Sequence, residues 1–94
     1  MNDYKITSYS RKKAKELNVI IKKSIKGQYK IDVFDKEGNY LTSIGNKNYF
    51  DFPTYLKEKG KEYADERRRL YHLRHAKNIA KEGSRGWYAS VILW

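Results

Sequence analysis

Pro53 divides this chain into two hydrophobic periods. Between 28 and 45, "QYKIDVFDKEGNYLTSIG", apolar and polar residues alternate, so that Tyr29, Ile31 and Val33 fall on one face of a strand and Lys30, Asp32 and Phe34 on the other. Asp35 can open a turn and Gly38 can take the positive φ of a bulged hairpin loop. Tyr40, Thr42 and Ile44 then form the facing set of a second strand. Beyond Pro53, Tyr63, Leu70, Leu73, Ala76 and Ala80 follow an approximate helical stripe across 61 to 80. Glu62, Asp65 and Glu66 lead it, and Arg74 and Lys77 trail it, as the helix dipole favours. A period of two followed by one near 3.6 predicts an α+β fold: a small antiparallel β-sheet or hairpin packed against a C-terminal helix of 61 to 80, with a short aromatic C-terminal segment.

The remaining stretches carry weaker patterns. "YKITSY", 4 to 9, reads as a short edge strand within a poorly periodic segment of 2 to 16, followed by a basic stretch in which Ser10 can cap a turn. "LNVIIKKSI", 17 to 25, is rich in β-branched residues and reads as a strand. Pro53 holds Phe52 extended and favours a helical first turn, so "TYLKEK" gives one or two turns before Gly60. Gly83 or Gly86 ends the long helix and leaves "WYASVILW" as a last short helix or an edge strand. Those last residues are apolar enough that the core or a neighbouring molecule must cover them. Trp87 is expected to face the helix and Trp94 to close a contact with another subunit.

At 94 residues the chain is expected to be one domain, 1–94, burying only about 60 to 65% of its unfolded surface. Without cysteine it has neither disulfides nor thiolate metal ligands to supplement a thin core. No apolar run approaches the roughly 20 residues that span a bilayer, and the amino terminus lacks the apolar stretch of a secretory signal, so no membrane partner is expected.

Enzyme signatures are missing. There is no phosphate-binding glycine loop, dinucleotide fingerprint or H-E-x-x-H helix. His72 and His75 stand three apart on the predicted helix, but two histidines without a clear third ligand do not make a zinc site. Asp32 and Asp35 read as solvated or turn-forming rather than as an acid–base pair. The expectation is a non-enzymatic protein with no catalytic residues, no metal and no cofactor.

Charge gives two candidate surfaces. Twenty-one lysines and arginines against eleven acids leave a formal charge of +10. Residues 11 to 30 hold eight cations against Glu16 alone, and a nucleic-acid surface there would use Arg11, Lys12, Lys13, Lys22, Lys23 and Lys26. With no base-reading motif, such contact would be backbone-directed. The second candidate is "ERRRLYHLRH", where arginines flank an apolar helical stripe. Arginine and aromatic residues are what interface centres favour, which makes Arg67, Arg68, Tyr71, Arg74, Trp87 and Trp94 the expected protein-interface residues.

The order of these motifs resembles a family of small basic proteins encoded by large double-stranded DNA viruses and tailed phages. The likeness lies in "KITSYSRKK" at 5 to 13, "IG" at 44 and 45, "YFDF" at 49 to 52, "DERRRLYHLRH" at 65 to 75, and a tail with Gly86, Trp87, Leu93 and Trp94. Tyr88 and Ser90 stand where the family carries a tryptophan and an arginine. The aspartate-proline-leucine before the tail is missing, and 14 to 26 is extra sequence. The resemblance implies viral origin and assigns no catalytic residues. Together with the missing chemistry it leads to the expectation of an auxiliary or minor capsid component. Such a protein would bridge the major capsid protein or other virion subunits in a hetero-oligomeric assembly, located in the virion and assembled in the host cytoplasm. A backbone-directed nucleic-acid-binding protein and a small modulator of a host enzyme are the alternatives.

Overall fold

In the computed structural model, which describes residues 4–94, the alternating segment forms two strands of a three-stranded antiparallel sheet. β2 (Tyr29–Phe34) lies between β1 (Ile20–Lys23) and β3 (Tyr40–Asn46). Ile31 pairs with Ile44 and Val33 with Thr42, which sets the aliphatic face. The hairpin turn is built as its residues predict: the Asp35 carboxylate accepts the Glu37 and Asn39 backbone N–H groups at 3.0 and 2.8 Å, and Gly38 has φ +91°. The register then slips by one residue between Val33 and Phe34, so that Phe34 faces Tyr40 rather than Leu41. Tyr40 thereby leaves the expected set with Thr42 and Ile44. Its ring meets Phe34 edge-on, and its hydroxyl lies 2.6 Å from that of Ser43.

Central placement buries both faces of β2. Asp32, expected to be solvated or turn-forming, is instead a buried acceptor: Ser24 and Ser43 hydroxyls donate to it at 2.7 and 2.6 Å, and the Ile25 N–H at 3.3 Å. Burial pushes its carboxyl pKa up, but these donors together hold it below the ordinary 3.8. Because hydrogen bonds favour the charged form, the pair of strands carries its own acid-sensitive tie.

Four helices and one short turn of helix complete the chain. Residues 4 to 9, read above as an edge strand, instead lead into α1 (Ser8–Leu17); positions 2 and 3 of that segment lie outside the described residues. Thr7 caps α1 by accepting the Ser10 N–H, and Ser10, Ala14 and Leu17 recur at helical spacing on its inner side. β1, within the predicted 17 to 25, forms one edge of the sheet and β3 the other. Asp51 caps α2 (Phe52–Lys59) through the Thr54 N–H, and Pro53 sits in its first turn, so Phe52 is already helical rather than extended. The predicted helix of 61 to 80 is divided at His75 into α3 (Lys61–Arg74) and a short α4 (Ala76–Ile79). The tail is a helix, α5 (Arg85–Ile92), capped by Ser84.

The helix that covers the sheet is α5, not the stretch of 61 to 80. Ala89, Ile92 and Leu93 pack with Ile31, Val33 and Ile44 to make the core. The reason is apolar density: 91 to 93 is an uninterrupted aliphatic run, whereas Ala64 is the one buried residue of α3 and Leu73 is 69% exposed. α3 packs on α2 instead. The Ser10 hydroxyl donates to the Ile92 carbonyl at 2.8 Å and ties α1 to the same helix.

Arg68 joins the two halves. Its Nε donates to the Trp94 carbonyl at 2.6 Å, its terminal nitrogen to the Tyr9 hydroxyl at 2.7 Å, and its guanidinium lies 3.9 Å from the centre of the Phe52 ring. Gly86 permits the approach of α5 to α4, since a Cβ there would stand 2.7 Å from both the Cβ and the carbonyl oxygen of Asn78.

Three outcomes follow from this packing. Gly86→Ala should lose about 1–3 kcal/mol in chemical denaturation, because backbone must move to admit the methyl group; Gly27→Ala, with open space around it, should change stability by less than about 1 kcal/mol. Arg68→Ala should cost about 1.5–3 kcal/mol through its lost charged hydrogen bonds, while exposed Arg74→Ala stays within about 0.5 kcal/mol. For Asp32, a depressed folded pKa means stabilisation that is full above the unfolded value near 3.8 and is lost as pH falls through the lower folded value. The gap in unfolding midpoint between the native chain and Asp32→Asn should therefore be widest above about pH 4 and close on further acidification.

Candidate functional site

Between α3–α4, α5 and the loop from β3 to α2 lies a cleft of about 900 Å³. Six cations line it: Lys30 from β2, Arg67 and Arg74 from α3, Lys77 from α4, Lys81 from the following turn and Arg85 from α5. Asp51 is the one carboxylate side chain in the lining among the described residues. It is already matched by Lys30 at 3.3 Å and accepts the Tyr4 hydroxyl at 2.6 Å. Burial pushes the Lys30 ammonium pKa below its ordinary value against the pull of Asp51, and it pushes the Tyr4 phenol up, reinforced by Asp51.

The cations differ in what else they touch. Arg67 lies over the Tyr55 ring at 5.5 Å, and Arg85 lies over Tyr29 at 5.1 Å with a long hydrogen bond of 3.4 Å to the Thr42 hydroxyl. Arg74, Lys77 and Lys81 have no carboxylate within ion-pair distance among the described residues, in contrast to Lys61 and Arg69, which pair with Asp65 and Glu66 outside the cleft. Exposed ammonium and guanidinium groups held near one another repel and are relieved by an anion placed among them.

Aromatic residues make the rest of the wall. Tyr71 and Trp94 stack with centroids 4.5 Å apart and planes 8° apart; His75, one helical turn along, lies 4.4 Å from Tyr71. Tyr55 reaches Trp94 at 6.0 Å and Phe50 at 5.3 Å, which continues the series to the mouth. Burial raises the Tyr71 phenol pKa, so the ring brings no negative charge into the basic site. The turn that carries Lys81 is pinned by Ser84, whose hydroxyl bonds to the Asn78 and Lys81 carbonyls and caps α5 through the Trp87 N–H.

Of the residues singled out for a protein interface, Arg67, Tyr71, Arg74 and Trp94 converge on this cleft. Arg68 does not; its donors are used within the chain. Trp87 lies outside, half-buried and edge-on to Tyr88, while Trp94, not Trp87, stacks on the helix. The proposed nucleic-acid set lies elsewhere: Arg11, Lys12 and Lys13 on α1, Lys22 and Lys23 on β1, Lys26 in the turn after it. Lys13 pairs with Glu16, Lys22 lies over Phe34, and Lys26 donates to the Tyr40 hydroxyl. The cleft residues that sequence reading passed over are Lys30, Lys77, Lys81 and Arg85. A signal was present for part of this set, since Arg67, Tyr71, Arg74, Asn78 and Lys81 recur at alternating spacings of four and three, one face of a helix.

Among the described residues no group of three or more histidines and carboxylates stands close enough to hold a metal ion, and no helix is long and apolar enough to cross a membrane. His75 lines the cleft without a carboxylate partner among the described residues, and His72 is exposed on α3. The arrangement can hold an anion and offer rings to a planar group. No family model matches the chain, and no curated protein or solved structure matches it either.

Proposed function

We propose that the protein is a non-enzymatic binding module whose cleft holds the phosphate backbone of a nucleic acid. The observation that carries this reading is the placement of Arg74, Lys77 and Lys81 in the cleft wall, without an ion-pair partner among the described residues, together with a carboxylate that Lys30 already matches. Phosphates set there would displace counterions and relieve the repulsion among the three side chains. Contacts to phosphate carry no sequence information, so affinity that resides in this charge varies little with sequence.

The capsid reading expected from the family resemblance draws on the same cleft, because Arg67, Tyr71, Arg74 and Trp94 come together as an arginine–aromatic patch. Exposed Tyr49, Phe50, Tyr63 and Leu73 favour a macromolecular partner under either reading.

Binding of a labelled oligonucleotide, followed by fluorescence anisotropy across salt concentrations, separates the surfaces. The combined Arg74→Ala, Lys77→Ala and Lys81→Ala variant should bind at least about tenfold more weakly, with its log–log salt slope shallower by about 2 if all three side chains meet phosphate. The combined Arg11→Ala, Lys12→Ala and Lys23→Ala variant, folded alike by circular dichroism, should change affinity less than about threefold. Equal losses from both would move the contact to general attraction by charge. Tight binding to capsid subunits without oligonucleotide binding would favour the virion reading.

A further inference from the structure

We propose that the cleft is selective for single-stranded nucleic acid, with an unpaired base seated against Tyr49 and Phe50 at its mouth while Arg74, Lys77 and Lys81 hold the adjoining phosphates. This rests on the phosphate-binding reading above and adds to it the strandedness of the ligand and the residues that sense it.

Two consecutive large aromatics stand exposed at the cleft, Tyr49 at 69% and Phe50 at 45%. Tyr49 makes no ring contact with another aromatic side chain among the described residues, and Phe50 touches Tyr55 by an edge-on contact at 5.3 Å and 69°. The backbone that presents them is fixed: the Tyr49 N–H bonds to the Asn46 carbonyl at 3.1 Å, the Asn48 N–H bonds to the Asn46 side chain at 2.8 Å, and Asp51 is anchored by Lys30 and Tyr4. Rings displayed to water on a fixed loop, in a cleft shared with exposed cations, supply the two components of a single-strand site, a stacking surface and a charged track.

Strandedness follows from geometry. In a duplex each base face is covered by its neighbours, so Tyr49 and Phe50 have nothing to stack on, and duplex DNA is stiff over about 150 base pairs. A cleft of about 900 Å³ belongs to the size class that encloses a small-molecule-sized unit. A flexible single strand can turn one base into it while its phosphates stay on the α3–α4 wall; a duplex cannot.

The test uses the full chain and four probes of about a dozen nucleotides: oligothymidylate, the matching oligouridylate, an abasic strand with the same phosphates, and a duplex. Oligothymidylate or oligouridylate should bind at least about tenfold more tightly than the duplex and the abasic strand, the loss that one base–aromatic stack carries. The two pyrimidine strands distinguish DNA from RNA as the source, and a preference for either supports the proposal. Tyr49→Ala should weaken the pyrimidine strands by about tenfold and leave the abasic strand unchanged, while Tyr49→Phe keeps the ring and the affinity. Tyr49 is exposed, so the variants should unfold at the native midpoint. Equal binding of all four probes, or indifference to Tyr49→Ala, would overturn base seating and leave phosphate binding standing. If no probe binds, both readings fail.

Discussion

The buried carboxylate of Asp51 holds this molecule together. One oxygen accepts the Tyr4 hydroxyl and the Lys30 ammonium, and the other caps α2 through the Thr54 N–H. The segment before α1, the central strand and the helix after the sheet are thereby tied at one point, and the Lys30 ammonium also lies 5.0 Å from the Tyr4 ring centre. A charge taken out of water is tolerated only when its partners satisfy it, and losing one partner of such a pair typically costs about 3–5 kcal/mol. A bond from the Phe52 N–H to the Leu93 carbonyl, at 3.0 Å, joins the next residue to the end of α5. The sheet, α2 and α5 therefore share one anchor, and the loop carrying Tyr49 and Phe50 is set by it.

The cleft is a consequence of what α3 does not do. With few aliphatic residues it cannot compete for the sheet, so it packs on α2 and meets α5 through side chains at its edge. Arg68 and Tyr71 make that connection, one to the Trp94 carbonyl and the other to its ring. Arg67 and Arg74, seven residues apart on α3, face the open space, and Lys81 joins them from the turn after α4. The same helix thus spends one arginine on structure and leaves its neighbours on the wall of the site.

Much of the local structure was legible in the sequence. The hairpin followed from alternation on either side of Asp35 and Gly38, and a short helix after Pro53 from the φ that proline sets, although Asp51 starts that helix two residues earlier than "TYLKEK". A strand within 17 to 25 followed from β-branched residues, and β1 occupies 20 to 23 of it. Misreadings arose where local pattern was weak: Tyr4 and Ile6 suggested a strand, but Thr7 supplies a cap and Ala14 and Leu17 an inner face for α1. Asp32 looked like a turn residue because alternation cannot tell a solvent face from one covered on both sides.

The sequence by itself determined the fold class, the hairpin and its turn, the helical character of most of 61 to 80 and the need to cover the last apolar run. These depend on residues near one another in the chain, whose periodicity, caps and φ preferences act locally. Only tertiary structure decided that α5 rather than α3 covers the sheet, that Arg68 turns inward while Arg67 and Arg74 face the cleft, and that Lys30 and Arg85 join them. Those outcomes compare burial energies between distant segments. Lys30 and Lys81 are fifty-one positions apart, and no local pattern records that the folded chain places them around the same space.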